Sequence, residues 1–379
     1  MPRLFLYALI FSFGLCLPAE AAKLYDKDYI GETTVYRAKF EDTLVHLARD
    51  NNLGFVEMRA ANPNVDPWIP GAGAKIVMPT QHLLPDAPRE GIVINLPDMR
   101  LYYFEKPGEA PVTYSIGIGR EGLNTPLGKT SVMRKVVGPT WTPTPRMRKE
   151  KPELPAVVPP GPENPMGTHA IYLGFPQIAI HGTDKPYGIG RRVSSGCIRL
   201  YPEGIKDLYP RVPVGTKVTV VDQPVKVGWI DNKMYIEVQP TQDQSFAIEE
   251  NGVLKDYQIT TEDMKRITDK AGQYAMQIDW QTVRQAVREH KGYPIPILDT
   301  KKKPGERVYD DLQALLDEAG ATPEDIQLSE ARAVNEPLPV KEDERVITDG
   351  GSSAPAATQA QTEGQGRERR VIRNFNFNN

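Results

Sequence analysis

Eight prolines crowd positions 143–165, and they rule out a helix interior or a central strand through that stretch. Each fixes φ and removes a backbone donor. So long an irregular segment inside a patterned region is either a functional loop, such as a lid beside an active site, or a plain connector. The whole chain carries 35 prolines and 31 glycines, which favours strands, turns and linkers over a helical bundle. Around the proline segment the apolar runs are short. Positions 92–96 and 99–104 flank Pro97-Asp98 as a hairpin. Further strands are expected at 112–118, 130–136, 169–173, 177–180 and 216–221. A helix starts at Pro202, a favourable first helical residue, and covers 204–208. This pattern predicts a β-sandwich-like or barrel-like domain over 90–222, in a chain that is mainly β with α+β appendages.

Upstream, 34–37 reads as a strand and 41–51 carries Leu44, Leu47 and Ala48 at helical spacing. A second helix at 55–61 ends at Asn62-Pro63, and 75–79 returns as a strand. The result is a small βααβ unit over 34–80. Downstream, a hairpin with strands at 226–230 and 234–238 turns at Asp231-Asn232. Helices follow at 262–271, 279–290 and 307–319, so that a hairpin and helical region spans 223–335. From 339 to 379 the chain is polar and poor in apolar residues, the composition of a disordered tail. At the start, Arg3, an apolar run over 4–17 and Ala19-Glu20-Ala21 read as a secretory signal over 1–21. That run is shorter than the ~20 apolar residues of a spanning helix. A soluble exported protein with no membrane span after cleavage is expected. The formal charge of -3 gives no electrostatic footprint for nucleic acid.

Export makes Cys197 informative, because the other cysteine, Cys16, falls inside the signal. A lone thiol in an oxidising compartment is an accident or a reactive group. Sixteen positions upstream stands His181, one of five histidines, followed by Gly182. A thiol with a pKa of about 8.5 needs a base at neutral pH. An imidazole can take the proton, and the thiolate then attacks a carbonyl. Gly182 leaves its backbone carbonyl free to fix the His181 ring, the part a carboxylate plays in other triads. Backbone N–H groups of Ser195, Gly196 and Cys197 are the candidate oxyanion donors. Arg199 shares the side of Cys197 if the segment is extended, where it can bind a substrate carboxylate.

The stretch HGTDKPYGIGRRVSSGCIRL over 181–200 closely resembles the L,D-transpeptidase catalytic signature, a His-Gly followed at a distance by Ser/Thr-x-Gly-Cys-aliphatic-Arg/Asn. Supporting matches are Thr125-Pro126-Leu127-Gly128, Trp141 and Gly167. The sequence departs from the commonest pattern at Ser195, where the family often has histidine. The 34–80 unit resembles a LysM domain through Tyr36, Asp42-Thr43-Leu44, Ala61-Asn62-Pro63, Gly73, Ile76 and Pro79. That resemblance implies binding to the N-acetylated glycan of peptidoglycan or chitin. The modular order resembles an enterobacterial-type periplasmic L,D-transpeptidase and implies a periplasmic enzyme without cofactor or metal. The implied reaction is attack by Cys197 on the diaminopimelate–D-Ala amide of a tetrapeptide stem, with His181 as base. The acyl group then passes to the diaminopimelate amine of another stem or to a lysine of an outer-membrane lipoprotein. Transfer to water would make an L,D-carboxypeptidase. Arg199, Ser194, Ser195 and Thr183 are the expected substrate-binding residues, and Tyr172 and Trp141 either line the donor groove or pack in the core.

The other histidines have plainer readings. His46 sits on a polar helix side, His82 in a linker, His169 at the start of a strand and His290 at a helix end. A non-catalytic wall-binding protein that uses only the LysM-like unit is the competing function class.

Overall fold

The computed structural model describes residues 24–250 and 257–303. The expected signal (1–21), the helix at 307–319 and the polar tail (339–379) lie outside the described residues. The N-terminal part comprises β1 (Tyr29–Ile30), β2 (Thr34–Arg37), α1 (Leu44–Asp50), α2 (Phe55–Ala61), β3 (Lys75–Met78) and β4 (His82–Leu83). The central part runs β5 (Gly91–Asn95), β6 (Arg100–Phe104), β7 (Val112–Gly119), β8 (Gly128–Val137), α3 (Pro145–Glu150), β9 (His169–Leu173), β10 (Ala179–His181), β11 (Arg192–Ser194), β12 (Ile198–Leu200), α4 (Pro202–Arg211) and β13 (Lys217–Val221). The last part comprises β14 (Val225–Ile230), β15 (Lys233–Val238), α5 (Gln242–Glu250), α6 (Thr261–Ala271), α7 (Trp280–Glu289) and β16 (Ile295–Asp299).

The N-terminal elements follow from local chemistry. Thr43 caps α1 by accepting from the His46 N–H. Asn62 ends α2 and ties it to β3, donating to the carbonyls of Met58 and Val77 and accepting from the Val77 N–H. With β2 paired antiparallel to β3, Leu44, Leu47, Leu53, Met58 and Ile76 close a small core of their own.

In the central part, the strand order is β11-β7-β12-β10-β9-β8-β13-β5-β6, and β6 pairs again with β7. Of the sandwich-like and barrel-like forms expected, the pairing gives one continuous ring rather than two separate sheets. The cause is β7, whose first half pairs with β6 while its second half pairs with β12 and β11. Closure of this kind removes unpaired strand edges. Alternate residues, among them Ile94, Leu101, Ile116, Ile171, Ile180, Ile198 and Val218, fill the interior. The proline-rich segment is less irregular than expected. Thr144 caps α3, Pro145 takes its first turn where no donor is needed, and Trp141 bridges Val158.

The three parts meet over a buried ionic cluster. Glu57 of α2 pairs with Arg100 of β6 at 2.9 Å. Lys226 of β14 pairs with Asp98 and with Glu237 of β15, each at 2.7 Å. Burial opposes the charge on Lys226, yet Asp98 and Glu237 outweigh it and raise its pKa. His82 lies in this cluster against Glu57, almost fully buried, and is therefore more than a linker residue. The helix α5, which the sequence reading lacked, lies against α2 and β11.

Candidate active site

The strand β10 carries His181 at its end and pairs in parallel with β12, with Ile180 opposite Ile198 and His181 opposite Arg199. Paired residues share a face and alternate residues return to it. Cys197, His181 and Arg199 are thereby brought to one side of the sheet, while Ile180 and Ile198 point into the core. The same register places Ala170 and Tyr172 of β9 beside His181 and Ala179. Cys197 accordingly packs with Met166, Ala170, Ala179, Trp141 and Tyr172 in a small apolar cluster.

His181 is buried, and its Nδ1 lies 2.6 Å from the Gly182 carbonyl oxygen. A carbonyl only accepts, so Nδ1 carries the ring proton and Nε2 keeps its lone pair. Burial first, and then the positive charge of Arg199, lower the imidazole pKa to about 3, against the pull of the Gly182 and Met166 carbonyls. Gly167 makes that enclosure possible. Its φ is +63°, and a Cβ there would stand 2.8 Å from the Thr183 nitrogen.

The thiol is half-buried. Burial pushes the Cys197 pKa up, and the Ala179 N–H and Arg199 only partly offset this. Its Sγ donates to the Gln177 carbonyl at 3.5 Å. Gln177 belongs to the turn between β9 and β10 rather than to the expected strand at 177–180. Pro176 precedes it, its φ is +62°, and Ile178 N–H bonds back to Phe175, the geometry of a type II turn. Imidazole and thiol therefore rest as a neutral pair.

The turn before Cys197 is locked from several sides. Gly196 has φ +104°, a conformation that disfavours any side chain. Thr125 donates its hydroxyl to the Gly196 carbonyl and accepts from the Gly119 N–H. Ser194 is buried, donates to the Cys197 carbonyl and accepts from the Gly196 N–H. The Ser194 hydroxyl, expected among the substrate-binding groups, is thereby turned inward onto its own loop. The Gly196 N–H is likewise engaged, which leaves Ser195 and Cys197 as the N–H candidates for an oxyanion. Thr183 is also buried, and its hydroxyl accepts from the Lys185 N–H. Among the described residues Arg199 has no ion pair, and its Nε is buried without a hydrogen-bond partner. Burial lowers its pKa, against the opposing pull of Asp184.

Sequence reasoning missed the scaffold of this loop. Arg192 donates to the carbonyls of Gly119 and Gln242 and to the side chain of Asn124. Arg191 pairs with Glu249 at 2.7 Å and stacks over Phe55 of α2 at 3.6 Å. Gly190 meets Gly54 backbone to backbone, and its carbonyl accepts from the Val56 N–H. Only the glycines and the paired arginines hinted at such contacts, and their partners lie far away in sequence.

A thiol, an imidazole with its tautomer fixed by a carbonyl, a backbone turn and an unpaired guanidinium form a site suited to acyl transfer through a thioester. A family profile for the L,D-transpeptidase catalytic domain matches residues 89–220. The protein named probable L,D-transpeptidase YbiS of Escherichia coli (strain K12) is 39% identical over 287 residues, 74% of this chain and 90% of that protein. Two more from the same strain are similar. Probable L,D-transpeptidase YcfS is 46% identical over 230 residues, 57% of this chain and 71% of YcfS. Probable L,D-transpeptidase ErfK/SrfK is 44% identical over 215 residues, 55% of this chain and 68% of that protein. The chain belongs to the L,D-transpeptidase family. Among the described residues, no helix is long and apolar enough to cross a membrane.

Proposed function

We propose that this chain is a periplasmic peptidoglycan L,D-transpeptidase in which Cys197 is the nucleophile and His181 the general base. The observation that carries the reading is the neutral imidazole held by Gly182 on the same sheet face as the thiol. Nε2 of His181 takes the thiol proton as sulfur adds to the carbonyl between diaminopimelate and terminal D-Ala. The N–H groups of Ser195 and Cys197 receive the developing oxyanion. The C–N bond breaks, the D-Ala amine leaves with the proton from His181, and a thioester remains on Cys197. An acceptor amine, from a second stem in a 3→3 cross-link or from a lipoprotein lysine, then displaces the thiolate. Arg199, half-buried and without an ion pair among the described residues, binds a stem carboxylate, and Trp141 and Tyr172 wall the donor groove.

In the same reading residues 1–21 direct export, 34–80 form a LysM-like glycan-binding domain and 90–222 the catalytic domain. The hairpin and helical region takes 223–335, and the tail 339–379. The test is to incubate the protein with disaccharide-tetrapeptide and weigh it intact. A thioester adduct absent from Cys197→Ala supports the reading. Equal masses and unchanged muropeptides would favour a wall-binding protein instead. Comparing muropeptides and wall-bound lipoprotein with and without the gene identifies the acceptor.

A further inference from the structure

The face that carries Cys197 holds a second cation that the chemistry above does not use. On β8, Val132 pairs with Leu173 and Arg134 with Tyr172, so Met133 is an extra residue on that strand. Strict alternation from Val132, which faces the core, would turn Arg134 inward as well. The bulge instead leaves Met133 and Arg134 both exposed on the outer face. Across the sheet the register then runs Arg134, Tyr172, Ala179, and Cys197 ends that row next to Ile198.

The Arg134 guanidinium lies 3.5 Å from the centre of the Tyr172 ring. That ring belongs to the apolar cluster that also holds Trp141 and Cys197. At a strand spacing of about 4.8 Å, Tyr172 stands roughly 10 Å from the strand of the nucleophile. Among the described residues Arg134 has no carboxylate partner and no side-chain hydrogen bond. Arg191 and Arg192 of the loop before Cys197 are by contrast engaged. A guanidinium stacked on an aromatic ring keeps its edge donors free for bidentate contact with a carboxylate.

We propose that Arg134 is a second carboxylate-binding residue for the donor stem, set by the β8 bulge and the Tyr172 ring. The assignment rests on the reading that a stem peptide acylates Cys197. Such a stem carries more than one free carboxylate near the scissile amide. One ends the diaminopimelate side chain, and another belongs to the γ-linked glutamate that precedes it. Arg199 inside the site takes a different carboxylate, that of the terminal D-Ala next to the scissile amide, and Arg134 meets one of these two.

The test uses the full chain and three tetrapeptide stems, one unmodified and two amidated singly at either carboxylate. Cys197 acylation is timed by intact mass for wild type, Arg134→Gln and Arg134→Lys. Wild type is expected to slow about three- to tenfold on one of the amidated stems, the scale of one charge-assisted hydrogen-bond pair. Arg134→Gln is expected to slow equally on the unmodified stem and to lose that discrimination, while Arg134→Lys retains part of it. Identical discrimination in wild type and Arg134→Gln, or none in wild type, overturns the assignment alone. No adduct on wild type with any stem overturns the acyl-enzyme reading beneath it.

Discussion

Lowering the pH from 7 to 5 is expected to leave the rate of Cys197 acylation nearly unchanged. In the proposed mechanism the acceptor of the thiol proton is His181, whose imidazole pKa is held to about 3 by burial and by Arg199. At pH 5 such a group is about 99% neutral, whereas an ordinary histidine near 6.5 would be only about 3% neutral. An unshifted base, about 76% neutral at pH 7, would therefore cost about 25-fold over this interval. The Cys197 thiol is pushed up by burial, so the alkaline limit of the neutral pair lies above the usual thiol range. The profile of kcat/KM, which reports free-enzyme ionisations, is accordingly flat from pH 5 through 8. The assay follows acylation by a stem peptide or a carbapenem at intact mass, with the enzyme jumped briefly to each pH. An acid midpoint near 6.5 would refute the argument, because His181 would then be an ordinary exposed imidazole. A tenfold rise per pH unit through neutrality would refute it differently, by showing that free thiolate rather than the neutral pair reacts.

Two further changes probe what holds the site in place. Lys226→Ala leaves Asp98 and Glu237 buried without their shared cation and is expected to cost about 3–5 kcal/mol. A denaturant titration that shows a loss under about 1 kcal/mol would mean the cluster is hydrated. Gly190→Ala introduces a Cβ 2.2 Å from the Gly54 Cα at a φ of +71°. The backbone conformation alone carries about 1–3 kcal/mol of strain, and relieving the clash shifts the loop that joins His181 to Cys197. Lower thermal stability together with slower acylation is the expected outcome. Unchanged acylation would show that the contact with α2 does not support the site.

Much of the site was legible because its chemistry is local. The spacing from His181 to Cys197, the glycine after the histidine and the glycine before the cysteine each state a backbone or proton-transfer need. The hairpin, the βααβ pattern and most of the long strands followed from apolar period and turn residues. The short strands β11 and β12 did not, because three residues carry no period. The bulge at Met133 was also invisible, since strict alternation predicts the wrong face for Arg134.

The sequence by itself singled out one thiol, one imidazole and one guanidinium as candidates for a single acyl-transfer site on a mainly β chain. Only the tertiary structure decided that the imidazole is neutral, because that depends on burial and on how near Arg199 stands. It likewise decided that Ser194, Thr183, Arg191 and Arg192 carry hydrogen bonds or ion pairs within the protein. Those parts are set by hydrogen-bond partners drawn from distant segments, and no spacing along the chain encodes them.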